Sequence, residues 1–289
     1  MRYNSINKYP EQLYMLKDTS GLKRIGMDKF YTKNFISQIC VNHMLQFLSF
    51  DDNELLIEPS AGDGSFIEPL REVGIKKIFY DIEPEHKDVI KQDFLTLDIS
   101  NLQENYRKIH IVGNPPFGRQ SSLAIKFIKR SCTFCESISF ILPKSFKKES
   151  MRKYFPVHFH LIYEMDLPDH SFVIEGQAHD VPCIFQIWEK KDHPRERKVP
   201  HSPRGFKFIK KSESPDITLR RVGGTAGTIS TEIENKNEQT HYFIKFTNTY
   251  TFEENIERLK DLKFTHDNTV GPKSISKPEV TSEFNLYLP

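Results

Sequence analysis

Leu55-Leu56-Ile57-Glu58-Pro59-Ser60-Ala61-Gly62-Asp63-Gly64-Ser65-Phe66 is the stretch that decides the fold. Its apolar opening reads as a short buried strand, the two glycines mark a tight turn, and a helix starts after them. Glycines at such a turn let the backbone approach a ligand without a Cβ in the way. The next apolar run, Lys77-Ile78-Phe79-Tyr80, ends on Asp81-Ile82-Glu83-Pro84. Asp81 lies 17 residues after Gly64, near the ~20 expected for a carboxylate that binds ribose hydroxyls in nucleotide-binding folds. Gln92-Asp93-Phe94-Leu95 follows at a further loop edge. Strand and helix patterns alternate to about residue 190, which predicts an α/β domain on a mainly parallel sheet. Ligands of such sheets bind outside the carboxyl ends of the strands, where these motifs fall.

Downstream, Ile109-His110-Ile111-Val112 runs into Gly113-Asn114-Pro115-Pro116-Phe117-Gly118. Two prolines fix φ near −65° and remove two N–H donors, so this loop presents acceptors. The Asn114 side-chain oxygen and the Pro115 carbonyl can each take a hydrogen from one amino group. Phe117 offers a face on which a flat base can stack. Asn-Pro and Pro-Pro are also ordinary turn dipeptides. The glycine turn, the acid, the Asp-Phe pair and Asn-Pro-Pro-Phe in this order form a far more specific signal than any one of them.

In these motifs, over roughly residues 28–190, the chain resembles the S-adenosylmethionine-dependent adenine-N6 methyltransferases of γ-type motif order. The resemblance implies a Rossmann-like, seven-stranded methyltransferase sheet with helices on both faces. It also implies S-adenosyl-L-methionine as cofactor. Glu58, Pro59, Ser60, Gly62 and Gly64 would wrap its methionine end, Asp81 with Ile82 would hold the ribose, and Asp93 with Phe94 would bind the adenine ring. Tyr31 and Thr32, in Phe30-Tyr31-Thr32-Lys33, look like the cofactor motif preceding the first strand, and Ser139-Phe140-Ile141-Leu142-Pro143 like the fifth strand. Asn114, Pro115, Pro116 and Phe117 would be catalytic, with Asn114 also touching the cofactor. Phe172, ahead of Val181-Pro182-Cys183-Ile184-Phe185, sits where the family places an aromatic against a flipped base.

The implied activity is methyl transfer to the N6 amine of adenine in DNA, with the base extruded from the duplex. Asn-Pro-Pro-Phe occurs in RNA adenine-N6 methyltransferases as well. Protein glutamine-N5 methyltransferases carry a related loop that usually ends in Tyr; Phe117 and the basic second half count against them.

The net charge is only +2, but it is unevenly distributed. Residues 51–104 carry 14 acids against 5 bases, residues 119–153 carry 9 bases against 2 acids, and residues 190–221 carry 11 bases against 4 acids. A basic surface that starts past the Asn-Pro-Pro-Phe loop suits a track along phosphates. Lys144, Arg220 and Arg221 are the candidate contacts, the two arginines leading into Gly223-Gly224. No apolar run approaches the ~20 residues of a membrane span and no signal-peptide core opens the chain, so a cytoplasmic protein is expected. The four cysteines suggest neither a disulfide framework nor, in Cys132-x-x-Cys135, a zinc site. His158, His160 and His170 read as structural or surface groups.

Residues 1–27 read as an N-terminal arm, 28–190 as the methyltransferase domain, and 191–204 as a basic, Pro-rich linker or loop. Residues 205–289 read as a small α+β extension with nucleic-acid contacts. A helical face is expected over Asn34 to Phe50, from Phe35, Ile36, Ile39, Met44, Leu45 and Leu48. Residues 205–210 and 240–246 alternate like strands, and Phe252 to Leu262 reads as one helix. The expected partner is nucleic acid, with DNA favoured over RNA. A monomer or homodimer is expected, with any restriction or regulatory partner on a separate chain.

Overall fold

A computed structural model describes residues 30–174, 177–196, 201–265, 268–269 and 273–288. The expected N-terminal arm lies outside them. Strand β1 (Tyr31–Thr32) and helix α1 (Asn34–Phe47) precede the motif strand β2 (Glu54–Glu58). Helix α2 (Ile67–Leu70) leads to β3 (Lys76–Asp81), β4 (Ile90–Lys91), α3 (Ser100–Asn105) and β5 (Lys108–Gly113). Then come α4 (Ser122–Ser131), β6 (Ser137–Pro143), α5 (Glu149–Arg152) and β7 (Phe159–Asp166). The ribbon β8 (Phe172–Ile174) and β9 (Gln177–His179) precedes β10 (Cys183–Lys190).

Seven of these strands form one sheet in the order β4-β3-β2-β5-β6-β10-β7. All its pairings are parallel except those of β10, which runs antiparallel to both β6 and β7. This is the mainly parallel α/β sheet expected. Every residue of β2 and of β6 is buried, as a strand covered on both faces requires. At the amino end of the sheet, His110 bridges the buried Glu54 Oε2 (3.0 Å) and Ser137 Oγ (2.8 Å), tying β2, β5 and β6 together. Burial holds this imidazole below its ordinary pKa, against the opposing pull of Glu54.

Helix α1 stops at Phe47, and its buried stripe is Ile36, Ser37, Cys40, Val41 and Met44. Phe35 and Leu45, expected inward, face out instead. The reason is the i, i+4 spacing of Ile36, Cys40 and Met44, which places Phe35 and Leu45 off the stripe. Ser37 Oγ donates to Ser65 O at 2.7 Å, docking the helix on the glycine turn.

Beyond Lys190, the chain is fastened back on the large sheet. Arg195 donates to the carbonyls of Pro156, Phe159, Arg152 and Phe155, and its guanidinium covers the Trp188 ring at 5.3 Å. Arg195, in the stretch expected as a linker or loop, is therefore a structural pin.

A second, antiparallel sheet has the order β11-β14-β12-β13, from β11 (Phe206–Ile209), β12 (Ile217–Arg220), β13 (Ile229–Ser230) and β14 (His241–Phe246). It packs with α6 (Phe252–Leu259) and α7 (Lys277–Tyr287) around Phe206, Ile217, Leu219, Ile244, Val280, Phe284 and Leu288. Helix α6 opens on a capping box between Thr251 and Glu254, and α7 on one between Ser276 and Glu279. Among the described residues, no helix is long and apolar enough to cross a membrane.

Candidate cofactor and catalytic site

A cavity of about 460 Å³ opens at the carboxyl ends of β2, β3 and β5. That size is within the range of small-molecule sites. Four separate stretches converge on it. From β1 come Tyr31 and Thr32; from the turn after β2, Pro59, Ser60 and Gly62, with Glu58 at the strand end; from β3 and beyond, Asp81, Ile82, Asp93 and Phe94; from the turn after β5, Asn114, Pro115, Pro116 and Phe117.

Asp81 holds the glycine turn in place: its Oδ2 accepts from Gly62 N at 2.8 Å and its Oδ1 from Glu83 N at 2.8 Å. Carboxylate oxygens have further lone pairs, so both remain able to accept from a ligand hydroxyl. Asp93 Oδ1 accepts from Leu95 N at 2.9 Å, capping the turn that carries Phe94. The Phe94 ring is buried and stacked on Phe127 (5.4 Å, 25°), so it forms a floor and not a mobile clamp.

Asn114 is the most constrained polar side chain of the site. Its Nδ2 donates to Phe30 O at 3.2 Å and to Thr32 Oγ1 at 3.1 Å. Its Oδ1 is buried and has no hydrogen-bond partner among the described residues. The backbone O of Asn114 accepts from Ser60 Oγ at 3.2 Å, joining the two motif loops. Gly113, at φ +143°, is needed here because a Cβ would stand 3.0 Å from Glu58 Cγ.

Glu58 itself is fully enclosed, and its Oε2 likewise lacks a partner among the described residues. Burial, reinforced by the charges of Asp63 and Asp81, pushes its carboxyl well above the usual carboxylate range. Asp63 is also raised, chiefly by burial. With Glu83, Glu85 and Asp93, the wall carries six acidic side chains and no lysine or arginine among its described residues.

The cofactor implied by the sequence motifs is S-adenosyl-L-methionine, and the residues present fit it. A sulfonium and an ammonium suit a wall that also carries Asp81, Glu83, Glu85 and Asp93. The side chain of Ile82 and the ring of Phe94 suit an adenine, and Asp81 suits a ribose diol.

Sequence reasoning missed several parts of the site. Phe30 stacks on Phe117 (6.2 Å, 22°), and Tyr31 OH donates to Glu85 Oε1 at 2.6 Å, a strap beside Gly62. The adjacency of Phe30 to the expected Tyr31-Thr32 motif was the available signal; Glu85 had none.

Other expected residues stand elsewhere. Gly64, at φ +86°, does not line the cavity: a Cβ there would strike Ile67 Cδ1 at 2.8 Å and His86 Cγ at 3.0 Å, so its glycine serves packing. Phe172 is completely buried and meets Phe30 edge-on at 6.2 Å, one layer behind the cavity. The pairing of β1 with β8, Thr32 opposite Phe172, puts it there. Lys144 lies 3.7 Å from Asp166 Oδ1 and outside the cavity. Its neighbours are matched as well, Lys147 to Asp166 and Arg152 to Glu164, so charge counted along the chain overstates the basic surface. Arg220 Nε donates to Val222 O at 3.1 Å, folding onto its own turn. Arg221 lines a different cavity.

No family model matches the chain. It is 30% identical over 106 residues to two type II methyltransferases of Haemophilus influenzae, M.HincII and M.HindII. The match takes in 35% of this chain and 19% of each relative, so it spans about a fifth of their length. Among solved structures, one described as an RNA methyltransferase of Pyrococcus horikoshii is similar at 13% identity, with a TM-score of 0.43 over 60% of this chain and 93% of that one.

Proposed function

We propose that this chain, which has the mainly parallel seven-stranded sheet of the class I S-adenosylmethionine-dependent methyltransferases, methylates the exocyclic N6 amine of adenine in DNA. The observation that carries the reading is the Asn114 side chain in the cavity wall next to Pro115, its Oδ1 buried and without a hydrogen-bond partner among the described residues. When bound, S-adenosylmethionine supplies an electrophilic methyl group on a sulfonium.

The chain's own residues do the rest. An adenine amine is a poor nucleophile because its lone pair is delocalised into the ring. Asn114 Oδ1 and the Pro115 carbonyl accept its two hydrogens, which favours a pyramidal nitrogen with its lone pair turned towards the methyl. The contribution is positioning and electrostatic stabilisation of charge that develops during transfer. Thr32 and Phe30 O hold the Asn114 amide in the orientation that leaves Oδ1 to the substrate. No strong general base is needed, because the amine turns acidic only as it is alkylated, and the methylated nitrogen then loses its proton to water. Phe117, stacked on Phe30, closes the side of the cavity against which a flipped base would stack.

DNA is favoured by the partial likeness to type II methyltransferases. The test is transfer of labelled methyl to duplex DNA, single-stranded DNA and RNA, with nucleoside analysis of the product. Label only in RNA moves the substrate to RNA, and label in neither removes the nucleic-acid assignment.

A further inference from the structure

A second cavity, of about 390 Å³, lies where the C-terminal sheet meets the segment following β6. Ser145, Lys148 and Ser150 enter it from one side, and Arg221, Tyr242 and Ser274 from the other. The Arg221 backbone is fixed: Ile275 N donates to Arg221 O at 2.8 Å, and Val222 bridges Ser274. Its guanidinium lies over the Tyr242 ring at 5.0 Å, and its Nε is buried without an acceptor among the described residues. A buried donor on a charged group is costly to leave unmade. Arg221 lines the cavity and has no carboxylate partner among the described residues, so its guanidinium charge suits an anion there.

The charges around the cavity agree. Lys148 Nζ donates to Ser274 O at 3.0 Å and to its Oγ at 3.3 Å, and stands 3.7 Å from Glu279 Oε2. Glu279 is the acid of this cluster, and Ser276 and Asn268 also donate to it. A second cation, Lys277, stands over the same Tyr242 ring at 5.9 Å. Arg221 and Lys277 have no carboxylate partner among the described residues, so the cluster keeps a positive excess over Glu279.

We infer that this interdomain cleft is a phosphodiester site, in which Arg221 and Lys148 grip a backbone phosphate of the nucleic-acid substrate. The fork of an arginine suits two phosphate oxygens, and the Ser145 and Ser150 hydroxyls supply neutral donors. The segment holding Lys148 leaves the carboxyl end of β6, the sheet edge that also carries Asn114 after β5. A phosphate held there fixes the position of the strand that presents the target base. The inference rests on a nucleic-acid substrate and deepens that reading.

The experiment is fluorescence anisotropy of labelled adenine-containing duplex DNA and of a matching RNA, with the full chain, across a range of potassium chloride concentrations. Arg221→Ala is expected to weaken binding about tenfold and to lower the salt slope by about 1. Lys148→Ala is expected to act in the same direction. Arg221→Lys keeps the charge and the fold, and is expected to recover only part of the loss.

Unchanged affinity and slope in folded Arg221→Ala and Arg221→Lys would overturn the cleft while leaving the substrate class standing. Failure of the unsubstituted chain to bind either nucleic acid would overturn both. Titration with inorganic phosphate separates the remaining source of an oxyanion. Phosphate heat lost in Arg221→Ala, with DNA affinity unmoved, would assign the cleft to a free anion and reject the inference.

Discussion

Asn114 Nδ2 and Thr32 Oγ1 stand 3.1 Å apart although 82 residues separate them in the chain. That bond, with the one to Phe30 O, fixes the orientation of the amide and leaves Oδ1 without a partner among the described residues. Asn114→Ala is therefore expected to lower methyl transfer by roughly 10³-fold, the scale for loss of a preorganised polar group at the reacting centre. Cofactor binding should survive. Thr32→Val removes one restraint and not the acceptor, so its loss should be nearer tenfold, about one hydrogen bond's worth. Single-turnover rates for both variants check this, and full turnover by Asn114→Ala contradicts the assigned role.

Asp81 organises the glycine turn through Gly62 N and is proposed to take the ribose diol. Asp81→Ala should weaken S-adenosylmethionine binding by about 30- to 100-fold, equivalent to roughly 2–3 kcal/mol. Calorimetric titration measures it. An unchanged affinity removes Asp81 from the binding site.

Glu58 gives a pH dependence with a definite sign. Burial raises its folded-state pKa above the ordinary value near 4.5, so the folded chain holds the proton more tightly than the unfolded one. Its contribution to stability is full below the unfolded pKa and is lost as pH rises through the folded pKa, by up to about 1.4 kcal/mol per pH unit in that window. Glu58→Gln cannot ionise, and its stability should fall less than that of the parent chain from pH 5 upwards. Melting temperatures of both across pH 4 to 9 check the difference; parallel curves contradict a buried neutral Glu58.

Phe172 is placed by the structure behind Phe30 and not against the cavity. Phe172→Ala should cost about 3–5 kcal/mol of stability as a buried aromatic truncation. Phe172→Leu should fold and retain substrate affinity. A large selective loss of substrate binding in Phe172→Leu, with cofactor binding intact, would return the residue to the substrate face.

The central sheet was legible because its strands are short apolar runs closed by turn residues, and the motif acids sit at their carboxyl ends. The Asn-Pro-Pro-Phe loop was legible because two prolines leave acceptors on display. Helix α7 was missed although Ser276-Lys277-Pro278-Glu279 carries the capping-box pattern with a proline in the first turn. The surroundings of Gly64, Lys144 and Arg195 were not legible for one shared reason. What a residue faces across the fold, such as His86, Asp166 or the carbonyls before β7, leaves no trace in the local sequence. Phe172 follows the same rule, since the pairing of β1 with β8 is a contact over some 140 positions.

The most direct test of the account is incorporation of labelled methyl from S-adenosylmethionine into adenine-containing duplex DNA, with nucleoside mass spectrometry of the product and Asn114→Ala alongside. The account predicts N6-methyladenine in the DNA with the unsubstituted chain and its loss in the variant. Label at another atom, or equal label with and without Asn114, would contradict it.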